Sequence, residues 1–168
     1  MRRSALIDRI VRAGRSMVEA ARKATPRRNT PRSGAPRTRR PEPPARDIDA
    51  RGLTVEYAPC MDGDPDPGEV VWTWVPYEDD PRQGKDRPVV IIGRRGDNLV
   101  GVALTSKQKD NEEQVLVGTG PWDREGRPSY AKVERLLEVD PGQVRREGAV
   151  LPRDRFDAVV AGVRRTGG

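Results

Sequence analysis

One arginine and two hydroxyl residues stand where they could act on a phosphodiester. Arg87 lies between a polar, Gly-containing loop and the apolar run 89–92, so its guanidinium is expected at the start of a strand. Pro88 fixes its own φ and biases Arg87 towards extended geometry. Thr105 and Ser106 end the next predicted strand, and strand alternation lets only one of them share a face with Arg87. A bidentate guanidinium beside a hydroxyl can stabilise charge that grows on phosphoryl oxygens.

The composition excludes several kinds of catalytic and metal chemistry. The 168 residues contain no His and a single Cys, Cys60, which excludes His-based triads, His proton shuttles, intramolecular disulfides and CxxC sites. Asp62, Asp64 and Asp66 repeat at the spacing of an EF-hand start, but Pro65 indicates an acidic loop instead. We therefore expect no cofactor and no bound metal. Metal-free RNA cleavage remains open, because there the substrate's own 2′-hydroxyl attacks the adjacent phosphorus and no His is required.

The charge is divided unevenly along the chain. Residues 1–47 hold 14 Lys and Arg against 4 Asp and Glu, a net charge of +10. Residues 48–168 hold 18 against 22, a net charge of −4. The basic arm favours nucleic acid, an anionic membrane surface or an acidic partner. No apolar span reaches the roughly 18–20 residues of a transmembrane helix, so we expect a cytoplasmic protein.

The chain is predicted to have three parts. Residues 1–24 form a basic amphipathic helix, which either lies on a membrane or partner or is simply solvated. Residues 25–52 form a disordered linker rich in Pro and Arg, which cannot bury enough surface to offset its ordering entropy. Residues 53–168 form the folded domain.

Short strands separated by turns dominate the folded domain. Strands are predicted over 69–76, 87–93, 98–105, 114–117, 129–133 and 136–139. Pro152 then opens a C-terminal helix with an apolar face that contains Phe156 and Val163. Five or six short strands and one helix in about 100 residues indicate a mainly β fold, a small coiled barrel.

Three segments carry the site residues in a fixed order. The first is PGEVVW at residues 67–72, the second is QGKDRPVVII at 83–92, and the third is VALTS at 102–106. At this spacing they resemble the MazF/PemK family of bacterial toxin endoribonucleases. The resemblance covers residues 67–165, because the late strands and the C-terminal helix also match. It implies an SH3-like barrel with a C-terminal helix.

The resemblance also implies roles for particular residues. Arg87 matches the family's catalytic arginine, and Thr105 matches its transition-state hydroxyl. Gln83 and Gly84 match the mobile loop before that arginine. The family often carries Glu in this loop, but Arg82 occupies that position here, which leaves the carboxylate base unassigned. The further candidates for substrate contact are Lys85, Ser106, Lys107 and Trp122.

The function implied is that of the toxin of a type II toxin–antitoxin pair. Such a toxin cleaves single-stranded mRNA at specific sequences, forms a homodimer with RNA along the dimer groove, and is blocked by an acidic antitoxin. The alternative is a catalytically weak or inactive module on the same barrel that binds nucleic acid or protein, as a growth regulator or as a DNA-binding autoregulator. Arg82 favours the alternative, whereas Arg87 together with Thr105 favours the enzyme.

Structural roles for the same residues also stay open. Arg87 could simply pair with Asp79, Asp80 or Asp86, and Thr105 could be an ordinary strand residue. Trp72 and Trp74 alternate along a strand and are expected in the core. Trp122 lies in a turn and is the better candidate for stacking on a base.

Overall fold

The computed structural model describes residues 43–167, apart from the side chains of residues 146–148. The predicted amphipathic helix of residues 1–24 lies outside the described residues, as does the linker up to residue 42. The strands of the described chain are β1 (Ala45–Ile48), β2 (Thr54–Val55), β3 (Glu69–Pro76), β4 (Gly84–Arg95), β5 (Asn98–Thr105), β6 (Gln114–Gly118), β7 (Ser129–Lys132), β8 (Leu136–Val139) and β9 (Arg145–Val150). A 3₁₀ turn covers Pro141–Gln143, and helix α1 covers Arg153–Thr166.

All strand pairing in the described residues is antiparallel. The main hydrogen-bonded order is β1-β8-β5-β4-β3-β9, with β2 on β4 and with β6 and β7 continuing from the end of β5. The predicted mainly β fold with a C-terminal helix is confirmed. Within residues 43–167 the ladder does not close into a ring, because β1 and β9 do not pair with each other.

Two apolar clusters occupy the two faces of the sheet. The first lies between the sheet and α1, which inserts Phe156, Val159 and Val163. The second takes Ala45 from β1 and Val71 from β3, together with residues of β4, β5 and β8. Strands β1 and β3 are also in contact although they share no hydrogen bonds. The sheet therefore curls around the second cluster, and this curl fixes the relative positions of β3, β4 and β5.

The predicted domain boundary at residue 53 is wrong. Strand β1 lies inside the predicted linker, and it pairs with β8 over its whole length, from Ala45 opposite Val139 to Ile48 opposite Leu136. Strand β9 was also not predicted. Sequence periodicity missed β1 because it is a short edge strand with only two apolar residues.

A buried carboxylate ties β1 to the rest of the sheet. Glu138 on β8 is only 5% exposed, and it accepts hydrogen bonds from Arg46 at 2.7 Å and from Asn98 at 2.6 Å. A guanidinium nitrogen of Arg95 lies 2.6 Å from the other oxygen of the Glu138 carboxylate. Burial alone would raise the pKa of Glu138, but Arg46, Asn98 and Arg95 outweigh burial and hold the pKa below its usual range. A lowered pKa means that this contribution to stability is present above the unfolded-state pKa and is lost on acidification.

Among the described residues, no helix is long and apolar enough to cross a membrane.

The position of β1 predicts different outcomes for two truncations. Deleting residues 1–52 removes β1 and leaves Glu138 without Arg46, so the free energy of unfolding should fall by more than about 2 kcal/mol. Deleting residues 1–42 keeps β1 and its pairing with β8, so stability should stay close to that of the full chain. Urea denaturation of the two truncated proteins measures the difference. Equal stability would contradict the assignment of β1 to the domain.

Candidate active site

Two neighbouring concavities open beside the middle of the sheet. The larger, here called the main cleft, has a volume of about 590 Å³, and the smaller, the side cleft, about 330 Å³. Both are lined by Arg87, Lys109, Glu112 and Lys132. Five of the predicted site residues besides Arg87 also line the main cleft. They are Lys85, Thr105, Ser106, Lys107 and Trp122.

The main cleft forms where two strands part. The ladder between β4 and β5 ends at the pair Val89–Ala103, and from Leu104 onwards β5 pairs with β7 instead. Continuing the same register by two residues sets Arg87 opposite Thr105, and opposed residues of an antiparallel pair share a face. This continued register favours Thr105 over Ser106 as the hydroxyl nearer to Arg87, although both residues line the main cleft.

The Arg87 guanidinium forms no ion pair with any described residue. Arg87 is half-buried, and within residues 43–167 its side chain forms no hydrogen bond or ion pair. Asp86 is bound to Arg145 at 2.7 Å, and Asp80 to Arg82 at 3.0 Å. The structural alternative, in which Arg87 pairs with Asp80 or Asp86, is therefore contradicted, and Asp79 does not bind it either.

Burial is the main influence on the Arg87 guanidinium. It lowers the pKa of Arg87, and the nearby charge of Arg135 lowers it further, whereas Tyr77, Glu78 and Glu112 act in the opposite direction. An arginine remains protonated in proteins, so the side chain keeps its positive charge in spite of this desolvation. A partly desolvated, unpaired guanidinium is a strong binding group for a phosphate.

The Thr105 hydroxyl is held by its own backbone. The Lys107 backbone N–H donates to Thr105 Oγ1 at 3.1 Å. Because Oγ1 is the acceptor in this bond, its proton can be donated to an anion in the cleft. The same turn places Lys107 beside Thr105 at the rim of the main cleft.

Two lysines reinforce the positive charge around Arg87. Neither Lys85 nor Lys107 forms an ion pair with a described residue. The charge of Arg87, followed by burial and the charge of Lys107, lowers the pKa of Lys85. The three cations are therefore near enough to repel one another, and a polyanion in the cleft would relieve that repulsion.

A second group of charges joins the two clefts. Lys132 on β7 is bound to Glu78 at 2.6 Å and to Glu112 at 3.5 Å. Glu112 also pairs with Lys109 at 2.5 Å, and Glu78 lies 3.9 Å from Arg135. Sequence reasoning missed these residues, because they come from separate loops and strands that only the curled sheet brings together.

One group of described residues outside the clefts has a spacing that could hold a metal ion. Candidate ligand atoms of Cys60, Asp62 and Asp66 lie within 4.8 Å of one another. However, Arg94 is bound to Asp66 at 2.7 Å. A hydrogen bond with Asp62, together with its charge, raises the pKa of the Cys60 thiol. A protonated thiol and an arginine-bound carboxylate do not favour a metal.

Most of the described chain matches a known protein family. Residues 66–166 match the family of PemK-like, MazF-like toxins of type II toxin–antitoxin systems. The match covers more than half of the chain and includes Arg87 and Thr105. The chain belongs to this family.

Two solved structures are similar to this chain at low sequence identity. The crystal structure of MazE–MazF (form II) from Deinococcus radiodurans is 17% identical, with 64% of this chain and 98% of that chain covered and a TM-score of 0.46. The crystal structure of MazF (form I) from the same organism is 18% identical, with 61% and 94% covered and a TM-score of 0.45. None of the curated protein sequences matches the chain.

In this MazF-like domain the end of the loop before Arg87 lies outside the two clefts, although Tyr77, Glu78 and Asp79 at its start line the side cleft. Gln83 donates to Asp80 at 3.0 Å, on the same carboxylate that Arg82 binds, and neither side chain lines the main or the side cleft. Gly84 also lies outside both clefts. A Cβ on Gly84 would stand 2.4 Å from the Val75 carbonyl oxygen, so this glycine permits close strand pairing. The two clefts therefore do not include Gln83 and Gly84, and their contact with substrate stays a prediction.

The burial of the tryptophans in the MazF-like domain differs from the prediction: Trp122 is buried, whereas Trp72 and Trp74 are only partly buried. Trp122 is 2% exposed, and its Nε1 donates to Ser129 at 3.1 Å. It therefore cannot offer a free face to a base, although an edge of it reaches the main cleft. Trp72 and Trp74, expected in the core, are only partly buried, and Trp72 lines the main cleft. Trp72 is thus the better candidate for stacking.

The packing around Gly84 predicts a stability effect. Gly84→Ala should lower the free energy of unfolding by about 1–3 kcal/mol, because the new methyl group meets the Val75 carbonyl and the Trp74 ring. Urea denaturation measures this loss. The neighbouring Gln83→Ala is the control, and it should be close to neutral because Gln83 is exposed. A stable Gly84→Ala protein would contradict the close approach of the strands.

Proposed function

We propose that the main cleft is the active site of an endoribonuclease that cleaves single-stranded mRNA. The observation that carries this proposal is the half-buried Arg87 guanidinium, which has no ion-pair partner among the described residues and lines the main cleft together with Thr105. Membership of the MazF-like toxins supports it, because the match includes both residues. The arrangement suits a phosphodiester whose own 2′-hydroxyl is the nucleophile.

Each predicted side chain has a distinct task in this reaction. Arg87 would hold two phosphoryl oxygens of the scissile phosphate and stabilise the charge that develops there. Thr105 would donate a further hydrogen bond to one of those oxygens. Lys85 and Lys107 would bind the flanking phosphates, with Ser106 and the Trp72 ring beside them.

Two partners follow from the same proposal. A toxin of this kind is kept inactive by an antitoxin, and the uncompensated cations Lys85, Arg87 and Lys107 favour an acidic segment that competes with RNA. We propose such an antitoxin and a homodimer with the RNA groove between protomers. The competing function, binding without cleavage, is favoured by Arg82, which stands in the loop where the resemblance implies Glu.

Arg87→Ala should reduce cleavage of a single-stranded RNA transcript at least about 10³-fold, because the phosphate loses its charged bidentate donor. Arg87→Lys should recover only part of the rate, since a lysine cannot bind two oxygens in a fork. Gel analysis of the cleaved transcript gives both rates. The control is Arg164→Ala, an exposed arginine on α1 that lines neither cleft and should keep full activity.

Wild-type protein that binds RNA without cutting it would favour the binding module. An Arg87→Ala protein that cleaves at the wild-type rate would overturn the site assignment.

Thr105→Val should lower kcat by about 10²–10³-fold, because it removes the hydroxyl and keeps the β-branched shape. Ser106→Ala should have a much smaller effect, since the register of β4 and β5, continued past its last pair, sets Thr105 and not Ser106 opposite Arg87. Single-turnover kinetics with the same transcript, together with melting temperatures, separate catalysis from stability. A larger effect at Ser106 than at Thr105 would show that the register of β4 and β5 does not continue to the site.

A further inference from the structure

The proposed reaction needs a group that takes the proton from the 2′-hydroxyl. Within residues 43–167 two carboxylates, Glu78 and Glu112, stand close enough for their charges to raise the pKa of Arg87. Glu112 lines the main cleft together with Thr105, whereas Glu78 lines only the side cleft. Glu78 is also the more exposed, with 58% of its side chain accessible against 17% for Glu112.

We propose that Glu112 is the general base of this site, an inference that rests on the proposed endoribonuclease function. Its carboxylate takes the proton of the 2′-hydroxyl as the 2′ oxygen bonds to phosphorus. The bond from phosphorus to the 5′ oxygen breaks, and that oxygen takes a proton from solvent on the open side of the cleft. The products are a 2′,3′-cyclic phosphate on one fragment and a 5′-hydroxyl on the other.

The contacts of Glu112 suit this role. One carboxylate oxygen pairs with Lys109 at 2.5 Å, and the other accepts from Gln114 at 3.3 Å and lies 3.5 Å from Lys132. These donors approach from its own loop, from β6 and from β7, so they fix the carboxylate, while the oxygen that binds Lys109 keeps one free lone pair. The side chain is thereby oriented in the cleft, as a base must be for efficient proton transfer.

The charges that face Glu112 keep it ionised at neutral pH. The hydrogen bond from Lys109 is the largest influence and lowers the pKa of Glu112; burial opposes it, and Lys132 and Gln114 lower it further. Arg87 faces the same space from β4, and Glu78 reaches it through Lys132 from the loop after β3. A base with a lowered pKa is in its working form above the acidic range.

The test compares Glu112→Gln with the adjacent Glu113→Gln, an exposed carboxylate that lines neither cleft. Wild type should cleave a defined single-stranded transcript, with kcat/KM falling at acidic pH as Glu112 becomes protonated. Glu112→Gln should lose about 10²–10⁴-fold in kcat with little change in KM, and its profile should lack that acidic limb. Glu113→Gln should match wild type.

Lys109→Met provides a second, independent readout in case Glu112→Gln folds poorly. Without the Lys109 hydrogen bond the pKa of Glu112 rises, so the acidic limb should move to higher pH while cleavage continues. The inference is overturned if Glu112→Gln retains kcat within about tenfold, if it loses rate but keeps the acidic limb, or if Lys109→Met leaves the limb in place. In those cases the endoribonuclease stands and another group is the base. Absence of cleavage by wild type overturns the proposed function and this inference together.

Discussion

The site depends on an arginine that is partly removed from water and forms no ion pair with a carboxylate of the described residues. Desolvating a charged group carries a free-energy cost that an ion pair or a ligand normally offsets. Arg87 lies on β4 opposite the buried Thr73 of β3, just beyond the point where β4 stops pairing with β5. The folded sheet therefore includes the desolvation free energy of a cation that has no ion pair among the described residues. A bound phosphate would offset that free energy.

The surrounding charges leave that cation free for a ligand. The carboxylates nearest in sequence are directed elsewhere, with Asp86 on Arg145 and Asp80 on Arg82. The carboxylates nearest in space, Glu78 and Glu112, are bound to Lys132. This distribution separates a cationic wall formed with Lys85 and Lys107 from a carboxylate held at the junction of the two clefts. Such a separation is what the proposed reaction requires, because it needs a binding group for an anion and a proton acceptor at the same site.

The sequence was sufficient for the parts of the fold that have strong local patterns. The alternation over Glu69–Pro76 and the run after Asn98 gave the bounds of β3 and β5, and the buried run after Arg87 gave the middle of β4. It was insufficient for β1 and β9, which are edge strands that pair only because distant partners exist. A two-residue apolar pattern in a Pro-rich segment carries no signal for that pairing.

The candidate site was predictable to a similar extent. Arg87, Thr105 and Lys107 are close in the fold because adjacent strands are joined by a short turn, which the sequence shows directly. Glu112 and Lys132 enter the cleft through long-range pairing of β5, β6 and β7. Trp122 lies in a turn by sequence but is buried in three dimensions, because its indole N–H finds Ser129 seven residues on.

The central claim is that Arg87 and Thr105 act on a phosphodiester attacked by its own 2′-hydroxyl. Analysis of the product ends tests this most directly, with the full-length protein, a single-stranded RNA and EDTA in the reaction. The account predicts fragments with 2′,3′-cyclic phosphate and 5′-hydroxyl ends, and no cleavage of the same sequence made with 2′-O-methyl nucleotides. Fragments with 5′-phosphate ends, or cleavage of the 2′-O-methyl strand, would contradict it.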